Sequence, residues 1–339
     1  MSRVELPGSL SAARELVEPA LRRAADGICG SMRRVAGYHH GWLDRDGTPT
    51  GTEGGKALRP ALALLSARAA GAPAEHGVPA AVAVELVHDF SLLHDDVMDG
   101  DTERRHRPTA WTVFGVSPAV LAGDALLTAA LELLLAVDGA GALAASRALA
   151  RATQRLITGQ ASDLEFESRI DVTVTECVAM AEHKTAALIS CACSVGALLV
   201  GAPDPLARGL ADFGHEVGLA FQLTDDLLGI WGSPQVTGKP VLSDLRARKK
   251  SVPVVAALNS DTPSAAQLAD LYLRPEPMTG EELVLAAKLV EDAGGRKWTE
   301  AEAARRLAAA ERHLDELNLP RDVHAEFVQI ACFVTDRDR

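Results

Sequence analysis

The chain has 339 residues, 47% of them hydrophobic and 4% aromatic, and a formal net charge of −12. That charge, without a basic patch interleaved with aromatics, excludes nonspecific nucleic-acid binding. The five cysteines, Cys29, Cys177, Cys191, Cys193 and Cys332, are an odd number without zinc-site spacing, and read as buried free thiols in a reducing cytoplasm.

Residues 1–7 have no apolar leader segment, and no stretch is expected to reach the length of a membrane span. Residues 9–30 pattern as an amphipathic helix, with Ser9 or Ser11 as its N-cap, and residues 41–54 as a glycine-rich loop. Gly54-Gly55-Lys56-Ala57-Leu58-Arg59-Pro60 then opens a helix reaching to about Ala70, with Pro60 suited to the first turn. Lys56 and Arg59 share a face there, where backbone N–H groups already favour anions; an ordinary solvated turn is the alternative. Residues 81–93 are apolar at helical spacing and lead into an acidic run.

Further on, residues 117–137 and 140–158 read as helices and residues 160–167 as a short acidic turn. Residues 173–200 and 205–230 are long helical stretches, and residues 232–250 a polar, glycine-bearing loop. Breaks at residues 260–263 and 275–280 separate shorter helices, the last over residues 320–335. Short β-branched runs such as residues 252–255 lack hairpin turns around them. The expectation is an all-α chain forming one bundle domain over 1–339, its core about 10–335.

Two acidic stretches carry the chemistry. In His94-Asp95-Asp96-Val97-Met98-Asp99-Gly100-Asp101, Asp95 and Asp99 lie one turn apart with Asp96 beside them, and His88 falls two turns earlier on the same stripe. Carboxylates at a helix C-terminus repel one another and meet the negative end of the dipole, so the cluster makes sense if it holds divalent cations. Hard oxygen ligands with positions left for water and phosphate describe Mg²⁺ better than zinc or iron. Arg104, Arg105 and Arg107 then read as phosphate clamps. A solvated acidic helix end is the bland alternative.

The second stretch, Phe221-Gln222-Leu223-Thr224-Asp225-Asp226-Leu227-Leu228-Gly229, puts Gln222, Asp225 and Asp226 at i, i+3 and i+4, with Lys239, Asp244 and Lys249 beyond. Two such helix ends suggest a diphosphate held by Mg²⁺, an arrangement that stabilises a leaving pyrophosphate. Lys184-Thr185 sits in a helix lined with Ala, Leu and Cys; an inward lysine there needs an anionic partner, and a snorkelling surface lysine competes equally.

In order and spacing these motifs resemble the trans-isoprenyl diphosphate synthases, the polyprenyl synthetase family, over about residues 10–335. The resemblance rests on Gly55-Lys56 through Pro60, His88, the first aspartate motif with Arg104-Arg105 and Pro108-Thr109, Lys184-Thr185, Gln222 through Asp226, and Gly238-Lys239-Pro240 through Lys249. It implies a bundle of about ten or more helices around a central cavity, and a homodimer. It also implies condensation of isopentenyl diphosphate with allylic diphosphates. Catalysis would fall to Asp95, Asp96, Asp99, Asp225, Asp226 and Lys184, with about three Mg²⁺ per site on Asp95, Asp99 and Asp225. The allylic diphosphate would meet Arg104, Lys184, Thr185, Gln222, Lys239 and Lys249; isopentenyl diphosphate would meet Lys56, Arg59, His88 and Arg105. Phe90 and Ser91 would set product length, in a pattern closer to geranylgeranyl (C20) than to farnesyl (C15) synthases; a terpene cyclase on the same fold is the rival. Gly229 stands where the commonest pattern has a third aspartate, and His106 where it has glycine.

Overall fold

The computed structural model describes residues 7–51, 55, 57–233 and 241–335, so Lys56 and Lys239 lie outside the described residues. The described elements are helical apart from one two-stranded hairpin and an isolated bridge between Leu43 and Pro49. The helices are α1 Gly8–Asp26, α2 Gly30–His40, α3 Leu58–Ala69, α4 Val78–Met98, α5 Ala110–Phe114, α6 Val116–Leu135, α7 Ala140–Ser168, α8 Val174–Ala181 and α9 Ala187–Leu199. They continue as α10 Asp204–Trp231, α11 Ser243–Arg246, α12 Val252–Leu258, α13 Pro263–Leu273, α14 Gly280–Asp292, α15 Gly295–Asp315 and α16 Arg321–Thr335. Strands β1 Glu103–Arg104 and β2 Arg107–Pro108 pair antiparallel.

Contacts group the described residues into two compact units, the first from those up to Thr153 with Leu188–Gly214 and His313–Ile330, the second from those within Gln154–Ala187 and His215–Arg312 and from Ala331 onward. In the first, α4 is apolar on every side from Val78 to Val84 and packs against α1, α3 and α6. A helix hydrophobic all round has no face for water, and it ends only where Asp95, Asp96 and Asp99 appear. Asp99 caps it, and Gly100 follows at φ +68°, a left-handed position that ends the helix as expected. In the second unit, Ile230, Leu245, Val254, Leu268, Leu283 and Val290 form one apolar cluster.

The structure differs from the sequence expectation in several places. Residues 160–167 are helix, because α7 runs unbroken to Ser168. Gly30–His40, not expected as an element, forms α2. The first helix begins after Pro7 with no side-chain cap from Ser9 or Ser11. Cys177, Cys191 and Cys193 are buried free thiols, but Cys29 and Cys332 are exposed. Finally, α6 is long and apolar enough to cross a membrane, with a mean hydropathy of 1.7 over its best window, a third of which is buried. Within its unit one face of it packs against α4 and α2.

Candidate active site

At the end of α4 the three aspartates divide. The Asp99 N–H donates to the Asp95 carbonyl at 2.8 Å, which continues the helical turn and keeps both residues on one stripe. Asp95 is half-buried and Asp99 exposed, whereas Asp96 is buried and accepts a 2.7 Å bond from Arg104 Nε. Burial pushes the Asp96 carboxyl up against the pull of Arg104. Asp96 and Arg104 therefore fasten the helix end to the β1–β2 hairpin. In that hairpin Arg105 (φ +52°) and His106 (φ +60°) are both left-handed, as a two-residue turn requires. The departure at His106 is thus one of backbone strain, on an exposed side chain, where glycine would be relaxed.

The same unit gathers the cations expected to bind isopentenyl diphosphate. A Cβ added at Gly55 would lie 3.2 Å from Arg105 Nη2, so this guanidinium rests on the Gly55 turn. Arg59 is lowered by burial against the pull of Glu85 and Asp89. His88 is held well below its ordinary range by burial, and then by Arg59. Four residues that the sequence reading missed complete the cluster: His39 and His40 at the end of α2, and Glu85 and Asp89 one turn apart on α4. His40 Nδ1 lies 3.0 Å from Asp89 Oδ2, and His39 Nε2 lies 3.9 Å from Oδ1. Burial raises Asp89, but His40 and then His39 outweigh it and hold the carboxyl well below its usual range. Burial, and then the Asp89 charge, push Glu85 the other way. A cavity of about 210 Å³ opens beside the cluster, lined by Tyr38, His39, His40, Arg104, Arg105 and Arg107 among others. The signal for these residues was two carboxylates inside an apolar run and a His-His pair at a helix C-terminus, but their contact joins residues 49 apart in sequence.

The second unit builds its site around α10. Thr185 Oγ1 donates to Gln222 Oε1 at 2.6 Å, and Gln222 Nε2 donates to Asp226 Oδ1 at 2.8 Å. The other Asp226 oxygen accepts the Val252 N–H at 2.9 Å, so this 4% exposed carboxylate caps the start of α12. Burial, aided by Asp244 and opposed by Lys249, pushes Asp226 up to about 6. Asp225, its neighbour, is exposed. Lys249 is half-buried; burial disfavours its charge, yet Asp226, Asp244, Asp163 and Asp225 outweigh that and hold the ammonium above its ordinary range. Cys177 Sγ donates to the Lys250 carbonyl, fixing the loop that carries Lys249.

Lys184 does face an anionic partner. Its Nζ is bonded to Asp163 Oδ2 on α7, in the segment expected to be a turn. Residues Glu182–Ala186 form a single wider π-turn between α8 and α9, a device frequent at functional sites. Gly159 packs directly on it: a Cβ there would fall 2.2 Å from the Lys184 backbone nitrogen. The glycine at 229 has a comparable reason, since a Cβ would meet the Asp244 carboxylate at 2.4 Å. Asp244 thus fills the space where the third aspartate of the motif would begin.

Phe90 is 5% exposed and meets the His94 ring edge-on at 4.7 Å; Ser91 donates to the His88 carbonyl. Among the described residues no three His, Cys, Asp or Glu side chains converge on one point. That does not oppose Mg²⁺, which is commonly held by one or two carboxylates with phosphate and water completing the shell. Asp95, Asp99 and Asp225 offer carboxylate oxygens alone, the donor type that fits this ion.

Residues 42–289 match the polyprenyl synthetase family model. A (2E,6E)-farnesyl diphosphate synthase of Mycobacterium tuberculosis is 47% identical over 99% of this chain and 94% of its own length. A geranylgeranyl diphosphate synthase of the same organism is 46% identical over 89% of this chain and 86% of its own. A crystal structure of a polyprenyl synthetase from Streptomyces coelicolor A3(2) superposes with a TM-score of 0.94 at 48% identity, covering 97% of this chain and 99% of that one.

Proposed function

The chain belongs to the polyprenyl synthetase family and is a prenyltransferase; from that premise we propose that it makes an all-trans short-chain diphosphate, with geranylgeranyl diphosphate (C20) as the product. The observation that carries the reading is the gathering of Arg59, His88 and Arg105 around Glu85 and Asp89 of α4. Arg59 and Arg105, with His88 and Lys56, hold the diphosphate of isopentenyl diphosphate. Arg104 in the first unit, and Lys184, Thr185, Gln222 and Lys249 in the second, with Lys239, serve the allylic diphosphate. Asp95 and Asp99 in the first unit, and Asp225 in the second, would hold Mg²⁺, which would neutralise charge on the diphosphate oxygens when bound. Asp96 and Asp226 act behind them, as the partners of Arg104 and of the α12 N-terminus.

The allylic C–O bond breaks and its electron pair leaves with pyrophosphate. The isopentenyl double bond attacks the resulting allylic cation, and a proton passes from the new chain to pyrophosphate. The cationic side chains stabilise charge as it builds on the leaving group, and apolar walls keep water from the cation. Phe90, five residues before Asp95 on α4, forms the floor of the chain-binding space. A homodimer is proposed with it; Val116, Leu121 and Leu135 are exposed apolar residues on α6 that a second copy would cover.

The (2E,6E)-farnesyl synthase, matched over nearly the whole chain, favours a C15 product as the second reading. Incubation with Mg²⁺, labelled isopentenyl diphosphate and dimethylallyl, geranyl or farnesyl diphosphate separates them. A C20 diphosphate from all three supports the proposal. A stop at C15 places the floor higher, and a hydrocarbon released without incorporation of label identifies a cyclase.

A further inference from the structure

Two guanidiniums, Arg59 and Arg105, crowded beside a buried His88, need an anion in the free protein, and the mechanism above gives none of that work to Asp89. Asp89 is 4% exposed, yet its Oδ1 and the nearby His39 Nε2 have no hydrogen-bond partner, and Arg59 Nε is also buried without one. Asp89 Oδ2 is held by His40, itself 7% exposed and stacked on Trp42 at 4.1 Å between ring centres. His40 walls two cavities at once. One is lined by Arg104 and Arg105; the other, of about 20 Å³, is lined by Gly55, Pro60 and Glu85. The Asp89–His40 pair therefore borders both the Gly55 turn and the Arg105 hairpin that rests on it.

We propose that Asp89 is a positioning residue for isopentenyl diphosphate, acting through His40 to hold the end of α2 as a wall of that half-site and serving as the counter-charge that lets Arg59 and Arg105 stay together beside His88 before the substrate arrives. The inference rests on the assignment of isopentenyl diphosphate to these cations. Its physical content is preorganisation: without the buried anion the cations repel one another and spread, and substrate must regather them. Asp89 touches no reacting atom. Its loss falls on one substrate's binding and spares the other substrate and the chemical step.

The test is steady-state kinetics with Mg²⁺ on the full chain carrying Asp89→Asn, His40→Gln, both together, or Arg105→Gln, with thermal denaturation of each. Asp89→Asn and His40→Gln are each expected to raise KM for isopentenyl diphosphate about tenfold, the loss of one charge-assisted hydrogen bond. KM for the allylic diphosphate and kcat at saturation stay within about twofold, and the double variant is no worse than either single one. An equal rise in both KM values, or a fall in Tm with KM unmoved, means a merely structural pair and overturns the proposal. If Asp89→Asn does not fold, His40→Gln carries the same test. Arg105→Gln separates the two levels: if it leaves KM for isopentenyl diphosphate unchanged, the substrate assignment fails and the inference with it. If it raises that KM while Asp89→Asn and His40→Gln do not, only the inference fails.

Discussion

At Gly229 an apparent loss of a metal contact becomes a question of space. The Asp244 carboxylate already lies 2.4 Å from where a Cβ would start, so restoring the third aspartate of the motif would force one carboxylate into another. Gly229→Asp is expected to destabilise the protein by about 2 kcal/mol through overpacking, with like-charge repulsion added. An unchanged urea midpoint would show that Asp244 swings away freely. Asp95 presents the opposite case, a half-buried carboxylate at a polar helix end. Asp95→Ala should lower kcat by at least about a hundredfold, the scale for removing one electrostatic contact to the transition state, with the circular dichroism spectrum intact. Retained turnover in Mg²⁺ would count against the whole site. The paired aspartates and the arginines after them were legible in the sequence, because spacing along one helix decides which side chains share a face, whereas the anion of Lys184, Asp163, stands on another helix in a segment that reads as a turn. Asp89 with His40 was not, since nothing local distinguishes a buried ion pair from a solvated one.

Among the elements, α7 shows where local signals mislead. Gly159 followed by an acidic stretch reads as a helix end and a turn, yet the helix continues for nine residues beyond that glycine to Ser168. The glycine is there for its missing side chain, because the backbone of the π-turn at Lys184 passes where a Cβ would stand. Helix propensity alone says that Gly159→Ala should stabilise by about 1 kcal/mol. The geometry says the reverse, a loss of about 2 kcal/mol or more, since the colliding atom is backbone and cannot rotate away. The expected readouts are a lower Tm and, because the π-turn carries Lys184 and Thr185, a raised KM for the allylic diphosphate. A higher Tm would favour propensity over packing. The helix α2 was missed for a related reason: its sequence Gly30–His40 has glycines, histidines and a weak apolar stripe, and burial against α6 and α4 stabilises it.

For the molecule as a whole, the buried histidines give stability a pH dependence whose parts oppose one another. Burial holds His39 down to about 4 from 6.5, against the pull of Asp89. As pH falls below 6.5 the unfolded chain takes up a proton there that the folded chain refuses until about 4. His39 therefore removes stability across that window, by about 3 kcal/mol in full. His40, raised by Asp89 against its burial, works in the opposite sense and gains stability as it protonates. Asp89, held down by both histidines, contributes stability above the carboxylate range that is lost below it. His39→Gln should flatten the decline in urea stability between pH 6.5 and 4, and a slope equal to that of the unsubstituted protein would mean that His39 becomes solvated. We propose one domain for the chain, because each of its two compact units is assembled from stretches far apart in sequence and neither is a continuous segment that could be excised.

The sequence by itself determined the helical class, most helix boundaries, both acidic helix ends and the family. Each of these depends on periodicity or on motif order, and both are properties of neighbours along the chain. Only the tertiary structure decided the rest: which aspartates turn outward and which lock against Arg104 or cap α12, why Gly159 and Gly229 lack side chains, and that a buried Asp89–His40 pair stands behind the cations. These are contacts between residues far apart in sequence, and their energies turn on burial and on distances that no local pattern encodes.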